Sequence, residues 1–308
     1  MTRNYLSIYG KSFNWAGFFL PKKIYLKCSD LYDFCRTLDD IVDQELKLEI
    51  KIKQFKEFKD KFINKDFNNQ IIKNMHELID DTEISKKIVY DLFDGVETDL
   101  KNVVKINSKK ELLIYSYRVA GTVGLMMAKI LNVKKQNALK AAIDLGIAMQ
   151  LTNIARDVVE DNKKNRKYIN SNFESIKNTL MTADTFYKSS FSSIRDIPIG
   201  CRFAILVARR VYHQIGSNIL SKKNIESYNK SGKIHVSIFG KLFQTILSIF
   251  DFFILLIINS KEHSKDGEHQ VISEEINLNE RIWLCNYWWG LRWFVVGVWI
   301  GNSQKDRR

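Results

Sequence analysis

The chain has 308 residues, of which 45% are hydrophobic, with two prolines, fourteen glycines and a formal net charge of +13. That length and apolar content exclude a disordered chain or a multi-span membrane protein and are ample for a buried core. The scarcity of helix breakers, together with long runs of helical spacing, points to an all-α protein. The cation excess fits a lysine-rich solvated surface or an attraction to anionic lipid headgroups or substrates, and no nucleic-acid-binding module accompanies it.

The first 21 residues lack the layout of a signal peptide, and their apolar stretch ends at Pro21. Residues 22–45 read as a helix, with Leu26, Leu31, Phe34, Leu38, Ile41 and Val42 at roughly helical spacing. Residues 46–66 and 70–80 read as amphipathic helices, and 84–103 as another that carries Asp91, Asp94, Glu97 and Asp99. Residues 109–131 are apolar on most sides and predict a central helix, in which Ala120, Gly121 and Gly124 allow close approach of a neighbour or a ligand. Residues 135–161 predict a second central helix, followed by a polar stretch with a weaker helix over 162–197. Helices over 201–220 and 237–258 complete the pattern. No short-period repeat and no linker divides residues 1–260. Cys28, Cys35, Cys201 and Cys285 form no CxxC pair and read as reduced thiols of a cytoplasmic protein.

The informative feature is a pair of pairs. Asp39 and Asp43 are four residues apart, as are Asp157 and Asp161, and the chain has no other DxxxD. On a helix such residues share a face. Arg36 and Tyr32 extend the first stripe backwards, and Asn153 and Gln150 the second. Facing carboxylates repel by roughly a few tenths of a kcal/mol when exposed and by more beside apolar residues. One pair alone would read as a solvated face neutralised by lysines. Two matched pairs point to a hard divalent cation, since Mg²⁺ takes one or two carboxylates plus phosphate oxygens and water. The basic run Lys163, Lys164, Arg166 and Lys167 suits a diphosphate leaving group.

Four segments resemble the squalene/phytoene synthase family in order and spacing: KSFNWAGFFLP, YDFCRTLDDIVD, YSYRVAGTVGLMM and LGIAMQLTNIARDVVEDNKKNRKYI. The resemblance covers about residues 5–240 and a short stretch near 275–282, and is greatest to bacterial phytoene synthases. It implies a single all-α helical bundle around a large central cavity, the isoprenoid synthase type, with the two aspartate pairs facing across its mouth. It also implies head-to-head joining of two geranylgeranyl diphosphates into phytoene, through a cyclopropyl diphosphate, in carotenoid biosynthesis. The resemblance makes Asp39, Asp43, Asp157 and Asp161 ligands of Mg²⁺, or of Mn²⁺ in its place, with Asn153 helping to hold the metal and Gln150 the substrate. Lys11, Ser12, Arg36, Arg166 and Tyr168 match diphosphate-contacting positions. Phe13, Tyr32 and Tyr115 match aromatics beside the reacting carbons, where a ring face can stabilise a cation. Val119, Ala120 and Gly124 match the lining of the prenyl tunnel. Arg118 and Arg156 read as surface or salt-bridge residues.

Departures and alternatives remain. Lys233, in YNKSGKIHVS, stands where the family often has an arginine. Residues 261–280, with His263 and His269, read as a solvated loop. The catalytic domain is read as residues 1–282. Residues 283–308 form an apolar and basic tail in which WLCNYWWGLRWFVVGVWIG holds five of the six tryptophans. Trp enrichment favours the membrane interface, while packing on the bundle and a true span stay open. The expected setting is the cytoplasm, peripherally on the inner face of the membrane, with other carotenoid-pathway enzymes as candidate partners. Two other functions are carried. One is a C30 synthase making presqualene diphosphate, squalene or dehydrosqualene from farnesyl diphosphate. The other is a non-catalytic, membrane-associated assembly factor of the same superfamily, for which degraded aspartate motifs would be expected. A phytoene synthase needs no NADPH, and the chain has no GxGxxG fingerprint.

Overall fold

The structure, a computed structural model, describes residues 11–264 and 267–277, the side chains of Lys11 and Ser12 excepted. The chain divides into two units, Met1–Ser264 and Lys265–Arg308. In the second, residues 268–277 are helical (α14) where a loop was expected. The tail 283–308, with Cys285 and the expected boundary after residue 282, lies outside the described residues.

The first unit is built from helices. In chain order they are α1 (Lys11–Gly17), α2 (Lys22–Asp43), α3 (Leu48–Ile63), α4 (Gln70–Thr82), α5 (Lys86–Glu97), α6 (Lys109–Ser116), α7 (Thr122–Ile130), α8 (Gln136–Arg156), α9 (Val158–Lys163), α10 (Phe173–Phe191), α11 (Ile199–Leu220), α12 (Ile225–Lys230) and α13 (Ile238–Ile257). Both prolines stand immediately before helices, Pro21 before α2 and Pro198 before α11. There the fixed φ suits a helix start and no hydrogen bond is lost. The face of α2 that carries Leu31, Phe34 and Leu38 is buried. Phe34 meets Phe58, Phe62 and Phe93 at centroid distances of 5.6–5.8 Å, in a cluster drawn from α2, α3 and α5. Residues of both α2 and α8 line a cavity.

Two departures from the expected helices shape the site. The rod over 109–131 contains a π-helical turn at Tyr117–Gly121, between α6 and α7. Beside it the backbones of this rod and α8 nearly touch. A Cβ on Gly124 would lie 2.2 Å from the Ala142 carbonyl oxygen, and one on Gly146 would lie 2.2 Å from that of Ala120. The small residues thus serve a neighbouring helix. Gly146→Ala is expected to lower stability by about 2–3 kcal/mol, because a backbone rather than a flexible side chain must give way. A loss below about 0.5 kcal/mol in urea unfolding would contradict this contact.

The second departure falls on the aspartates. The helix expected over 135–161 ends at Arg156, and Asp157 sits in the break with φ −104° and ψ 15°. The Tyr228 hydroxyl lies 3.0 Å from the Ala155 carbonyl oxygen and 2.7 Å from that of Arg156, taking up groups that a continuing helix would use. The Asp161 amide still donates to the Asp157 carbonyl at 2.8 Å, so the pair keeps its one-turn spacing across the break. The residues after α9 form β2 (Arg166–Lys167), which pairs in parallel with β1 (Val104–Lys105), with Val104 opposite Arg166. That bridge brings the basic run to the chain following α5.

Candidate active site

The two aspartate pairs meet through cations. Arg166 donates to Asp43 Oδ1 at 2.7 Å and also to the Val42 carbonyl at 3.4 Å, and Lys164 Nζ lies 3.0 Å from Asp43 Oδ2. The run that follows the second motif therefore grips the end of the first, 123 residues away in sequence. On the other side Asp157 is held by Arg156, at 2.8 Å through Nε, and by Lys233 at 3.3 Å. Arg156 is thus a salt-bridge residue, and Lys233 occupies a cationic position beside the second motif.

Each pair divides in the same way. In Asp43 burial raises the pKa, but Arg166 and Lys164 outweigh it and hold the carboxyl below its ordinary value. In Asp157 burial is likewise outweighed by Arg156 and Lys233. The other member of each pair lacks such relief. Asp39 is pushed up to about 7, first by burial and then by the charge of Asp43. Asp161 is pushed up to about 7, first by burial and then by the charge of Asp157. Asp39 faces the cavity, and the surrounding protein keeps bulk water from its carboxyl.

Asp99 is a further acid that spacing alone does not reveal. It lies just beyond α5, where its carboxylate accepts hydrogen bonds from Tyr168 at 2.6 Å and Tyr115 at 2.8 Å. Burial raises its pKa, and the two tyrosines and Arg166 oppose that rise. Its charge is felt at both Asp39 and Asp161. Tyr115 and Tyr168 stack with centroids 4.9 Å apart. Both tyrosines hold Asp99 through their hydroxyls.

The cavity has a volume of about 280 Å³. Asp39, Tyr32, Gln150 and Asn153 give it polar wall, while Val119, Ala120, Gly124 and Leu131 are among its many apolar lining residues. It follows α8 from Ala138 to Asn153, a rise of about 22 Å. Phe13 lines it and packs on Tyr212 at 5.0 Å. Of the other positions singled out in the sequence, Arg36 pairs with Asp40 at 2.6 Å and adds its charge to that around Asp39. The backbone of Lys11 and Ser12 opens α1, whose later residues reach the cavity. Of the two histidines in the segment read as a loop, His263 lies against Asp144 with Nε2 2.9 Å from Oδ2.

Residues 6–172, more than half of the chain, match the family model described as squalene/phytoene synthase. The chain belongs to the squalene/phytoene synthase family. It is 26% identical to the 15-cis-phytoene synthase of Pantoea ananas over 253 residues, which cover 70% of this chain and 80% of the relative. It is 34% identical to the 15-cis-phytoene synthase of a Paracoccus species over 158 residues, 46% of this chain and 51% of that one. Among solved structures, a dehydrosqualene synthase in complex with a ligand shares 25% identity with a TM-score of 0.63, covering 80% of this chain and 93% of its own. A squalene synthase from Alicyclobacillus acidocaldarius, 14% identical with a TM-score of 0.62 over 73% of this chain and 92% of that one, shares the fold. The protein is accordingly a prenyltransferase of the all-α isoprenoid synthase fold, with phytoene-synthase-like function in isoprenoid biosynthesis.

The family works with a divalent metal, and the residues here fit one. Asn153 Oδ1 is buried without a hydrogen-bond partner and belongs to a residue that lines the cavity. Asp39 and Asp161 carry charge that neighbouring carboxylates oppose. All these donors are hard oxygens, the set that suits Mg²⁺ or Mn²⁺.

Proposed function

We propose that the protein joins two geranylgeranyl diphosphates head to head to give phytoene, with Mg²⁺ held by Asp39, Asp43, Asp157, Asp161 and Asn153. The observation that carries this reading is the apolar cavity whose polar wall holds Asp39 and the partnerless amide oxygen of Asn153, with the other acid of the first motif, Asp43, paired to Arg166 and Lys164 and Asp157 of the second paired to Lys233. When bound, the metal supplies positive charge to the diphosphate oxygens and so improves the leaving group. Arg166, Lys164 and Lys233, the cations beside Asp43 and Asp157, receive the departing anion. Loss of the first diphosphate leaves an allylic cation. The C2=C3 bond of the second substrate attacks it, and proton loss closes a cyclopropane. A second ionisation, rearrangement and proton loss then yield the conjugated triene centre. Phe13 and Tyr32 present ring faces to the cationic carbons, and the apolar walls formed by Val119, Ala120 and Gly124 exclude the water that would quench them.

A C30 reaction on farnesyl diphosphate is the second reading, favoured by the likeness to a solved dehydrosqualene synthase. The curated relatives named phytoene synthase favour the C20 substrate. Purified protein, Mg²⁺ and either C15 or C20 diphosphate are expected to give a C40 hydrocarbon by mass spectrometry, from the C20 substrate and without NADPH. Turnover of the C15 substrate alone would replace this reading by the C30 one. No hydrocarbon from either would favour a non-catalytic role.

A further inference from the structure

Helix α13 has its polarity reversed for a helix on a water-facing surface. Its buried positions are Gln244, Ser248, Asp251 and Leu255, three of them polar. Its exposed positions include Phe239 at 84%, Phe250 at 61%, and Phe243 and Phe253 at 58% each. The inward stripe is fully engaged. Arg210 donates to Asp251 Oδ1 at 2.7 Å, Gln244 Nε2 to Gln214 Oε1 at 2.7 Å, and Trp15 Nε1 to the neighbouring Thr245 at 3.0 Å. The polar face is thus bonded to α11 and α1, and the apolar face is left outward. A continuous exposed patch of this kind marks a contact surface.

The patch continues to the wall of the cavity. Phe19 stands edge-on to Phe203 at 5.0 Å, and Phe203 meets Phe252 of α13 at 6.5 Å. Phe18 is 75% exposed, while Gly17 and Leu20 on either side of this corner line the cavity. Charge distinguishes the occupant. The only ionisable residues on α13 are Lys241 and Asp251, and Asp251 is turned inward onto Arg210. Lys22 and Lys23 are exposed beside the Phe18–Phe19 corner, and Arg195 reaches the Ile258 carbonyl at the far end of the helix, near exposed Lys261. An apolar face with a cationic rim matches an anionic lipid surface. Twenty residues of helix measure about 30 Å, enough to span a bilayer, but a helix bonded to α11 along its polar stripe lies on the protein.

We propose that α13 and the α1–α2 corner form the face by which the synthase rests on an anionic bilayer, with α13 in the plane of the interface. The surface stands on its own observations, independent of product length. The test uses the full chain with sucrose-loaded vesicles of phosphatidylglycerol and phosphatidylcholine. One variant changes Phe239, Phe243, Phe250 and Phe253 to Ser, a second changes all four to Leu, and a third carries Lys22→Glu and Lys23→Glu. The Ser variant is expected to lose at least tenfold in vesicle partition and the Leu variant less than twofold, both with unchanged Tm and unchanged turnover in detergent. The charge-reversed variant is expected to lose at least threefold on vesicles with phosphatidylglycerol and nothing on phosphatidylcholine alone. The proposal is overturned if the Ser variant partitions like the wild type, which would leave binding to the tail after residue 282. It is equally overturned if the wild type sediments as a dimer that the Ser substitutions dissociate without changing vesicle partition.

Discussion

Asp39→Asn and Asp161→Asn are each expected to reduce turnover at least about 10³-fold while raising the stability of the metal-free protein near pH 8. Both carboxyls have folded pKa values raised from 3.8 to about 7. A raised carboxyl binds its proton more tightly in the folded state, so its favourable contribution is complete below the unfolded value. That contribution is lost as pH rises through about 7, and ionised Asp39 and Asp161 then oppose folding. An amide of the same shape removes the opposition. Screening by water at the cavity reduces the benefit to about 1 kcal/mol per site, roughly 2–4 °C in Tm for a domain of this size. At pH 4 the variants and the wild type should melt together. With Mg²⁺ the order reverses: the wild type gains more than either variant, and its gain shrinks as pH falls below about 7, where protons compete for the same oxygens. Thermal melts at pH 4 and pH 8, with and without Mg²⁺, check all of this. Near wild-type turnover in either variant would falsify the assignment, and a variant less stable than the wild type at pH 8 would show that these acids hold the fold together.

The sequence made the two pairs visible because helical geometry ties i to i+4, whatever surrounds it. Ala120, Gly121 and Gly124 were visible for a related reason: small residues on an apolar rod must serve a close neighbour, and α8 adjoins all three while the cavity adjoins Ala120 and Gly124. Asp99 was not visible. It lies beyond the end of α5, and only the pairing of Val104 with Arg166 brings Tyr168 to its side. The break at Asp157 was also hidden, since the periodicity of 135–161 is unbroken and its cause, Tyr228, lies some seventy residues on. Helix α13 shows a further limit of pattern reading. An amphipathic period states that a helix has two faces but not which one the protein will bury. In α13 Arg210 and Gln214 choose the polar one.

Arg166→Ala is expected to cost about 2–3 kcal/mol of stability at pH 7 and about 10²–10³-fold in kcat/KM. The side chain is 11% exposed and satisfies Asp43 and the Val42 carbonyl together. It also lowers the pKa of Asp99 and Asp161, so its removal leaves three carboxyls with less compensation. The figure stays below the 3–5 kcal/mol of a fully buried pair because Asp43 is 38% exposed and Lys164 remains at 3.0 Å. The pH dependence identifies the cause. Asp43 has a depressed folded pKa, so the stability it contributes is present above the unfolded value of 3.8 and is lost as pH falls through the folded one. The deficit of the Ala variant should therefore shrink as pH falls below about 4 and through the depressed folded pKa of Asp43, and be largest above pH 7, where Asp161 must also ionise without its cation. Arg166→Lys is expected to recover less than half of the loss, since an ammonium cannot reproduce the two-directional grip of the guanidinium on a carboxylate and a carbonyl. Denaturant unfolding at pH 4, 6 and 8 measures the profile. A deficit independent of pH would mean that Arg166 acts through packing alone, and full recovery by Lys would mean that a point charge suffices at the junction of the two motifs.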